Sequence, residues 1–320
     1  YGQALVACQS ADWQAQARLH RRILNCLRRI DYNGARNAYQ QGSADLLKAP
    51  QQDAAFWEEW LELHLSWIQA NYFAMNTSEV ERVLQSMEKP LEHWGTALQK
   101  IQHRHHILLE HLLLHRFTAT SEQVTIACQN VAMARSLHSP YQLAEYLSSL
   151  GFIAFMAEDF EQSRQAYQES LEVAEAHHLY HIMERCYAYL SLVYRRQKQP
   201  EHAGEILGRL TSVLEKTNLH VYRMLVTAQR AWIAYLLGDF ESAYSQADEA
   251  LRGWAGETAP YPLQWPAGMI LLALDVQEQR WIQASERACV LLHPSQQMLS
   301  TGMQSALQAA LDCKQPLAAA

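Results

Sequence analysis

Tyr235-Leu-Leu-Gly-Asp-Phe-Glu-Ser-Ala-Tyr-Ser-Gln-Ala-Asp-Glu-Ala-Leu251 decides the fold. It reads as the end of one helix, a tight turn at Gly238-Asp239, and a second helix that opens on Phe240. Ala243 and Ala250 lie seven residues apart, on one face of that second helix. Small residues on a shared face let two antiparallel helices approach closely, with larger side chains filling the groove beside them. The stretch is therefore a helix hairpin.

The same pattern recurs. Turns fall at Asp159-Phe160, Gln199-Pro200, Asp239-Phe240 and Arg280-Trp281, in steps of 40, 40 and 41 residues. Small residues (Gly151, Ser191, Ala231) precede the first three of these turns at one fixed distance. Ser163, Ala203, Ala243 and Ala284 follow the four turns at another. Towards the N-terminus, Asp31, Asn76 and Ala119 fit the template with spacings of 45, 43 and 40. A fixed period of this length marks an array, in which each unit buries its apolar face only against its neighbours. The expectation is an all-α, right-handed superhelical solenoid of about seven antiparallel hairpins. A final helix over about 298–312 caps it. Residues 1–320 are expected to form one such domain.

Composition agrees with this. Of 320 residues, 49% are hydrophobic and 18% charged, with only 12 Gly and 9 Pro. That mixture favours helices with short connections. A net charge of −7 with a pI near 6.1 argues against nucleic-acid binding by this region. No run of about 18 apolar residues is present, so no membrane span is expected. Cys8, Cys26, Cys128, Cys186, Cys289 and Cys313 contain no C-x-x-C pair. They read as reduced, buried thiols of a cytoplasmic protein. The chain starts at Tyr1, which suggests a piece of a longer protein.

Residues 11–29 show amphipathic helical spacing, with a turn at Asp31–Ala35. Residues 53–74 carry Trp57, Trp60 and Trp67 and are apolar almost all round, as expected for a helix buried between neighbours. Asn76-Thr77-Ser78 is a helix start, and Pro90 a kink or break in the returning helix. The only loop-rich stretch is 253–266. His103, His105, His106, His111 and His115 crowd one expected helix. His111 and His115 are one turn apart, yet two ligands do not make a metal site and spacing identifies no third. No metal, cofactor or catalytic residue is assigned, because no nucleophile elbow and no P-loop is present.

The small–turn–aromatic–small pattern resembles the tetratricopeptide repeat, at about 40 residues rather than the usual ~34. Tyr261-Pro-Leu-Gln-Trp265 and His293-Pro-Ser-Gln-Gln297 resemble the C-terminal end of the repeat region of large bacterial signal-transduction ATPases with numerous domains (STAND-type). The resemblance covers about residues 50–313. It implies a sensor or docking role, with any ATPase and any cyclase, kinase or DNA-binding output module lying elsewhere.

In such arrays the first helix of each hairpin lines the concave side. Helical stepping puts His115, Arg116, Phe152, Phe155, Arg185, Arg195, Arg196, Trp232 and Tyr235 on that stripe. Arginine forks suit carboxylates or phosphates, and aromatics suit an apolar side chain. Each type has an ordinary alternative. Arg195 and Arg196 precede a turn, as cations at helix C-termini do, and the aromatics could be inter-repeat core. The expected function is non-enzymatic recognition of a peptide, a protein or a small effector. Other domains of the parent protein are further possible partners. A peptide-binding regulator, a chaperone-type adaptor and a self-association scaffold are the alternatives, although the Lys/Asn pattern of a carboxylate clamp is missing from the stripe.

Overall fold

The computed structural model describes residues 12–217, 220–256 and 261–312. Among them are fifteen α-helices and no strand: α1 Trp13–Leu27, α2 Tyr32–Leu46, α3 Ala54–Phe73, α4 Thr77–Trp94, α5 Ala97–Leu114, α6 Ser121–Ser136, α7 Pro140–Met156, α8 Phe160–Ala176, α9 Tyr180–Arg196, α10 Pro200–Leu214, α11 His220–Leu236, α12 Phe240–Ala255, α13 Trp265–Gln277, α14 Trp281–Leu292 and α15 Thr301–Asp312. The second helices have Asp31, Asn76, Thr120, Asp159, Gln199, Asp239 and Arg280 at their N-cap positions, within one residue of every expected turn.

Three boundaries differ from expectation. The turn at Asp31 is tighter, because the Asp31 carboxylate accepts from the Gly34 amide and helix begins at once on Tyr32. Helix α4 continues without a break through Pro90 to Trp94. The last helix starts at Thr301, and residues 293–299 form a separate connector. Of the loop-rich stretch, 257–260 lie outside the described residues, as do Cys8 and Cys313.

The chain divides into two compact units, Tyr1–Leu114 and His115–Ala320. In the first, α1 pairs with α2 and α3 with α4, while α3 also packs against α1 and α5. Ion pairs and polar contacts bind successive first helices at one register. Arg18 pairs with Glu59, Arg21 with Glu62 (2.9 Å), and Arg28 donates to Gln69. The aromatics expected between hairpins are there. Trp67 is 3% exposed, stacks on Tyr39 at 4.7 Å and on Tyr32 at 5.7 Å, and Trp60 lies over His64.

In the second unit, α7, α9, α11 and α13 are the first helices, paired with α8, α10, α12 and α14. Each first helix touches the next first helix, and α15 packs on α14. The sequence pattern explains the close approach. Gly151 faces the ring of Tyr167, which is fully buried, and Ser163 Oγ donates to the Gly151 carbonyl at 2.8 Å. Ala203, Ala243 and Ala284 are likewise fully buried.

The turns share one geometry. The amides of Asp159, Gln199, Asp239 and Arg280 each donate to a carbonyl five residues back, at 2.7–3.0 Å. The preceding residues, Glu158, Lys198, Gly238 and Gln279, all have positive φ. This is the Schellman closure, with a left-handed residue satisfying the last carbonyls of the first helix. The Asp159 and Asp239 carboxylates then cap the second helix at Gln162 and Ser242, each cap contributing about 0.5–2 kcal/mol. The aromatics after the caps pack back onto the first helix, Phe160 against Phe155 and Phe240 against Tyr235.

Candidate functional site

The polar side chains on the first helices of the second unit have distinct fates. Arg185 on α9 reaches back to α7, donating to Glu145 at 2.7 Å and Ser148 at 2.9 Å. Burial disfavours its charge, but Glu145 outweighs that and holds Arg185 above the ordinary arginine range. Arg196 pairs with Glu158 at 2.5 Å and lies over Phe160 and Trp265. Arg116 has positive φ and donates to the carbonyls of Leu292, His293 and Gln296, closing the open end of α14.

Arg195 is different. Its Nη1 donates to Gln229 Oε1 at 3.1 Å and to the Pro266 carbonyl at 2.9 Å. Its guanidinium carbon lies 5.3 Å from the Trp232 ring and 5.1 Å from the Trp265 ring, within cation–π range. No carboxylate pairs with it among the described residues, and its Nε and Nη2 donate to none of them. Burial first, and Arg196 second, push it below the ordinary arginine range.

The aromatic candidates divide in the same way. Trp232 is 8% exposed and walls Arg195. Tyr235 is half-buried against Phe240. Phe155 is 3% exposed and belongs to the hairpin core, while Phe152 is half-buried against Tyr189 of the next hairpin at 4.9 Å. His115 is exposed in the turn after α5. The structure thus brings Arg195, Arg196 and Trp232 together and directs Arg116, Arg185, Phe152 and Phe155 to structural partners.

The residues that complete the cluster lie on the two stretches 261–265 and 293–297. Trp265, at the start of α13, donates its indole N–H to Gln297 at 2.9 Å. The Gln297 amide donates to the Pro262 carbonyl, while Gln296 donates to the Tyr261 carbonyl and accepts from the Gln264 amide. Gln297 Nε2 also reaches Phe117 O and Met156 Sδ, and the Met298 amide donates to Arg116 O at 2.8 Å. Residues 293–298 therefore form a strap. It ties the base of α13 to the turn at 116–118 and the end of α7.

No known family profile matches the chain, and no curated protein does. Solved structures do. NprR in complex with its cognate peptide NprX is similar with a TM-score of 0.65 at 13% identity, over 91% of this chain and 82% of that one. A Rap protein complexed with competence and sporulation factor gives 0.61 at 14%, over 87% and 72%. A signal-transduction ATPase with numerous domains and a tetratricopeptide repeat sensor, from Pyrococcus horikoshii, gives 0.55 at 18%. That likeness spans 92% of this chain but only 45% of the ATPase.

The fold is a tetratricopeptide-like helical repeat. Stepping along first helices in such an array finds Arg195 and Trp232 but misses Trp265, Gln229 and Gln297. Trp265 lies at the opening of its helix rather than near its end, and Gln297 lies on no first helix. The histidine helix of the first unit is partly core: His106 is 1% exposed, and His103 Nε2 lies 3.2 Å from the Leu84 carbonyl. Among the described residues no group of three or more His, Cys, Asp or Glu is placed to hold a metal ion. Of the thiols expected to be buried, Cys186 is, Cys128 is half-buried, and Cys26 and Cys289 are exposed. No described helix is long and apolar enough to cross a membrane.

Proposed function

We propose that this tetratricopeptide-like array is a non-enzymatic sensor. It takes a peptide, or an extended segment of a protein, at the cluster formed by Arg195, Trp232 and Trp265, with Arg196 at its edge. The reading rests on one observation above all. Of the four arginines of the stripe, Arg195 alone has neither a carboxylate nor a set of helix-end carbonyls as its partner among the described residues. A half-buried, oriented cation between two indoles is suited to ligand capture. The similar solved structures support it, since NprR holds its cognate peptide NprX and a Rap protein holds competence and sporulation factor. We further propose a cytoplasmic regulator in which this array serves as the sensing part, a role supported by the likeness to part of the Pyrococcus ATPase.

The test is panning of a random peptide phage library on the immobilised chain and on a variant carrying Arg195→Gln and Trp232→Ala. Peptides enriched on the parent and lost on the variant are expected. Equal enrichment on both, with the variant still helical, would reject the site.

A further inference from the structure

Arg195 is held but not neutralised. Nη1 is fixed by Gln229 and by the Pro266 carbonyl, so the fork has one orientation. Gln229 is itself fully buried and donates to Ser191 at 3.1 Å, which prevents its amide from turning away. Trp232 and Trp265 stand as walls, and Gln297 fixes the second wall through its indole N–H. The remaining edge of the guanidinium, Nε with Nη2, is the edge that pairs two-pronged with a planar anion. A cation partly removed from water, with only neutral acceptors around it, gains strongly from one opposite charge.

The geometry points to a receptor for a single carboxylate: we propose that the Nε–Nη2 edge of Arg195 binds one carboxylate of the peptide ligand, with Trp232 and Trp265 flanking the adjoining apolar atoms. This rests on the peptide-binding reading and names the group recognised. A monoanion fits better than a phosphate dianion for two reasons. Arg196, the neighbouring cation, is already paired with Glu158. The chain as a whole carries a net charge of −7, which repels multiply charged ligands. The carboxylate can be a peptide C-terminus or an acidic side chain. Gln297 is a positioning residue, acting through Trp265.

The test follows the indole 1H–15N resonances of Trp232 and Trp265 in the whole chain, assigned with Trp→Phe variants. Four probes are titrated: N-acetylglycine for a terminal carboxylate, the α-amide of N-acetylaspartate for a side-chain carboxylate, neutral N-acetylglycinamide, and inorganic phosphate. Saturable shifts of both indoles are expected with one or both carboxylates and not with the neutral amide. Which of the two binds more tightly identifies the source. Arg195→Gln should weaken binding by at least about tenfold, as expected when a charge-assisted pair becomes a neutral one. Gln229→Glu supplies an internal carboxylate at the same position and should abolish probe binding while the fold is kept, so the test survives if Arg195→Gln does not fold. Equal binding by the parent and Gln229→Glu, tighter binding of phosphate than of either carboxylate, or no indole shift with any probe would each overturn the proposal. If panned peptides still bind the parent while no carboxylate probe moves the indoles, the carboxylate assignment fails and the peptide-binding reading stands. If neither binds, both fail.

Discussion

Replacing Gly151 with alanine should weaken the second unit, although alanine is much the better helix former. Gly151 is fully inside α7, and an added Cβ would sit 2.8 Å from Cδ1 and Cε1 of Tyr167. Carbon atoms pack best at about 3.5–4.0 Å. Tyr167 cannot easily retreat, because it is fully buried on α8 and stacks beside Tyr189. Overpacking of this kind costs roughly 1–3 kcal/mol, set against a propensity gain of about 1 kcal/mol. The net loss is then about 0–2 kcal/mol by the same two terms. Gly208 in α10 supplies the control, since nothing lies within 4 Å of its would-be Cβ. Gly208→Ala should keep the whole gain of about 1 kcal/mol. Urea unfolding followed by far-UV circular dichroism reads both, and midpoints moving in opposite directions at unchanged slope are expected. If Gly151→Ala stabilises as much as Gly208→Ala, close helix approach is not what requires glycine there, and the packing argument for the small-residue pattern fails.

Gly238, at φ 78°, has open space around it but a left-handed backbone; Gly238→Ala should cost about 1 kcal/mol, whereas Lys198→Gly, at φ 58° in the equivalent turn, should lose none by thermal melting. His64 is buried, with Nδ1 donating to the Trp60 carbonyl and Nε2 accepting from Tyr39, and burial pushes it down to about 4. Its folded value lies below its unfolded one, so its contribution is complete above about pH 6.5 and is lost as pH falls towards 4. By pH 4 the loss should approach about 3 kcal/mol, and His64→Gln should remove that part of the pH dependence in urea melts at several pH values. Asp275 is fully buried and paired with Arg280 at 2.7 Å. Arg280→Met should lower stability by about 1–3 kcal/mol, less than the loss of a fully enclosed partner, and Asp275→Asn in the same background should restore part of it.

Much of the array was legible because its rules are local. An aspartate or similar cap followed by an aromatic, with small residues at fixed offsets, can be read within one hairpin, and the turns at Asp159, Gln199, Asp239 and Arg280 fall where that pattern puts them. The cluster was only partly legible. Helical stepping placed Arg185 and Arg195 on one stripe, but nothing local says that Glu145, 40 residues earlier, satisfies the first while the second meets only neutral acceptors. Whether an arginine is available depends on pairing across repeats. Trp265 and Gln297 lie in stretches that carry a family resemblance but no place in the 40-residue period. Their roles depend on contacts such as Arg116 to Gln296, made across 180 residues of sequence, which no periodicity encodes.

The strap at 293–298 also sets an order of events. Repeat arrays ordinarily settle as they are made, each hairpin resting on the one before. Here the turn at Arg116 must wait for carbonyls at Leu292, His293 and Gln296. At about 5–20 residues per second, a ribosome takes on the order of ten seconds or more to cross that interval. Until then α13 lacks its anchor to α7, and Trp265 has no Gln297 to hold it against Arg195. The cluster thus matures only after every hairpin turn of the second unit has formed, and a chain interrupted before Gln297 would carry all those turns without a finished site.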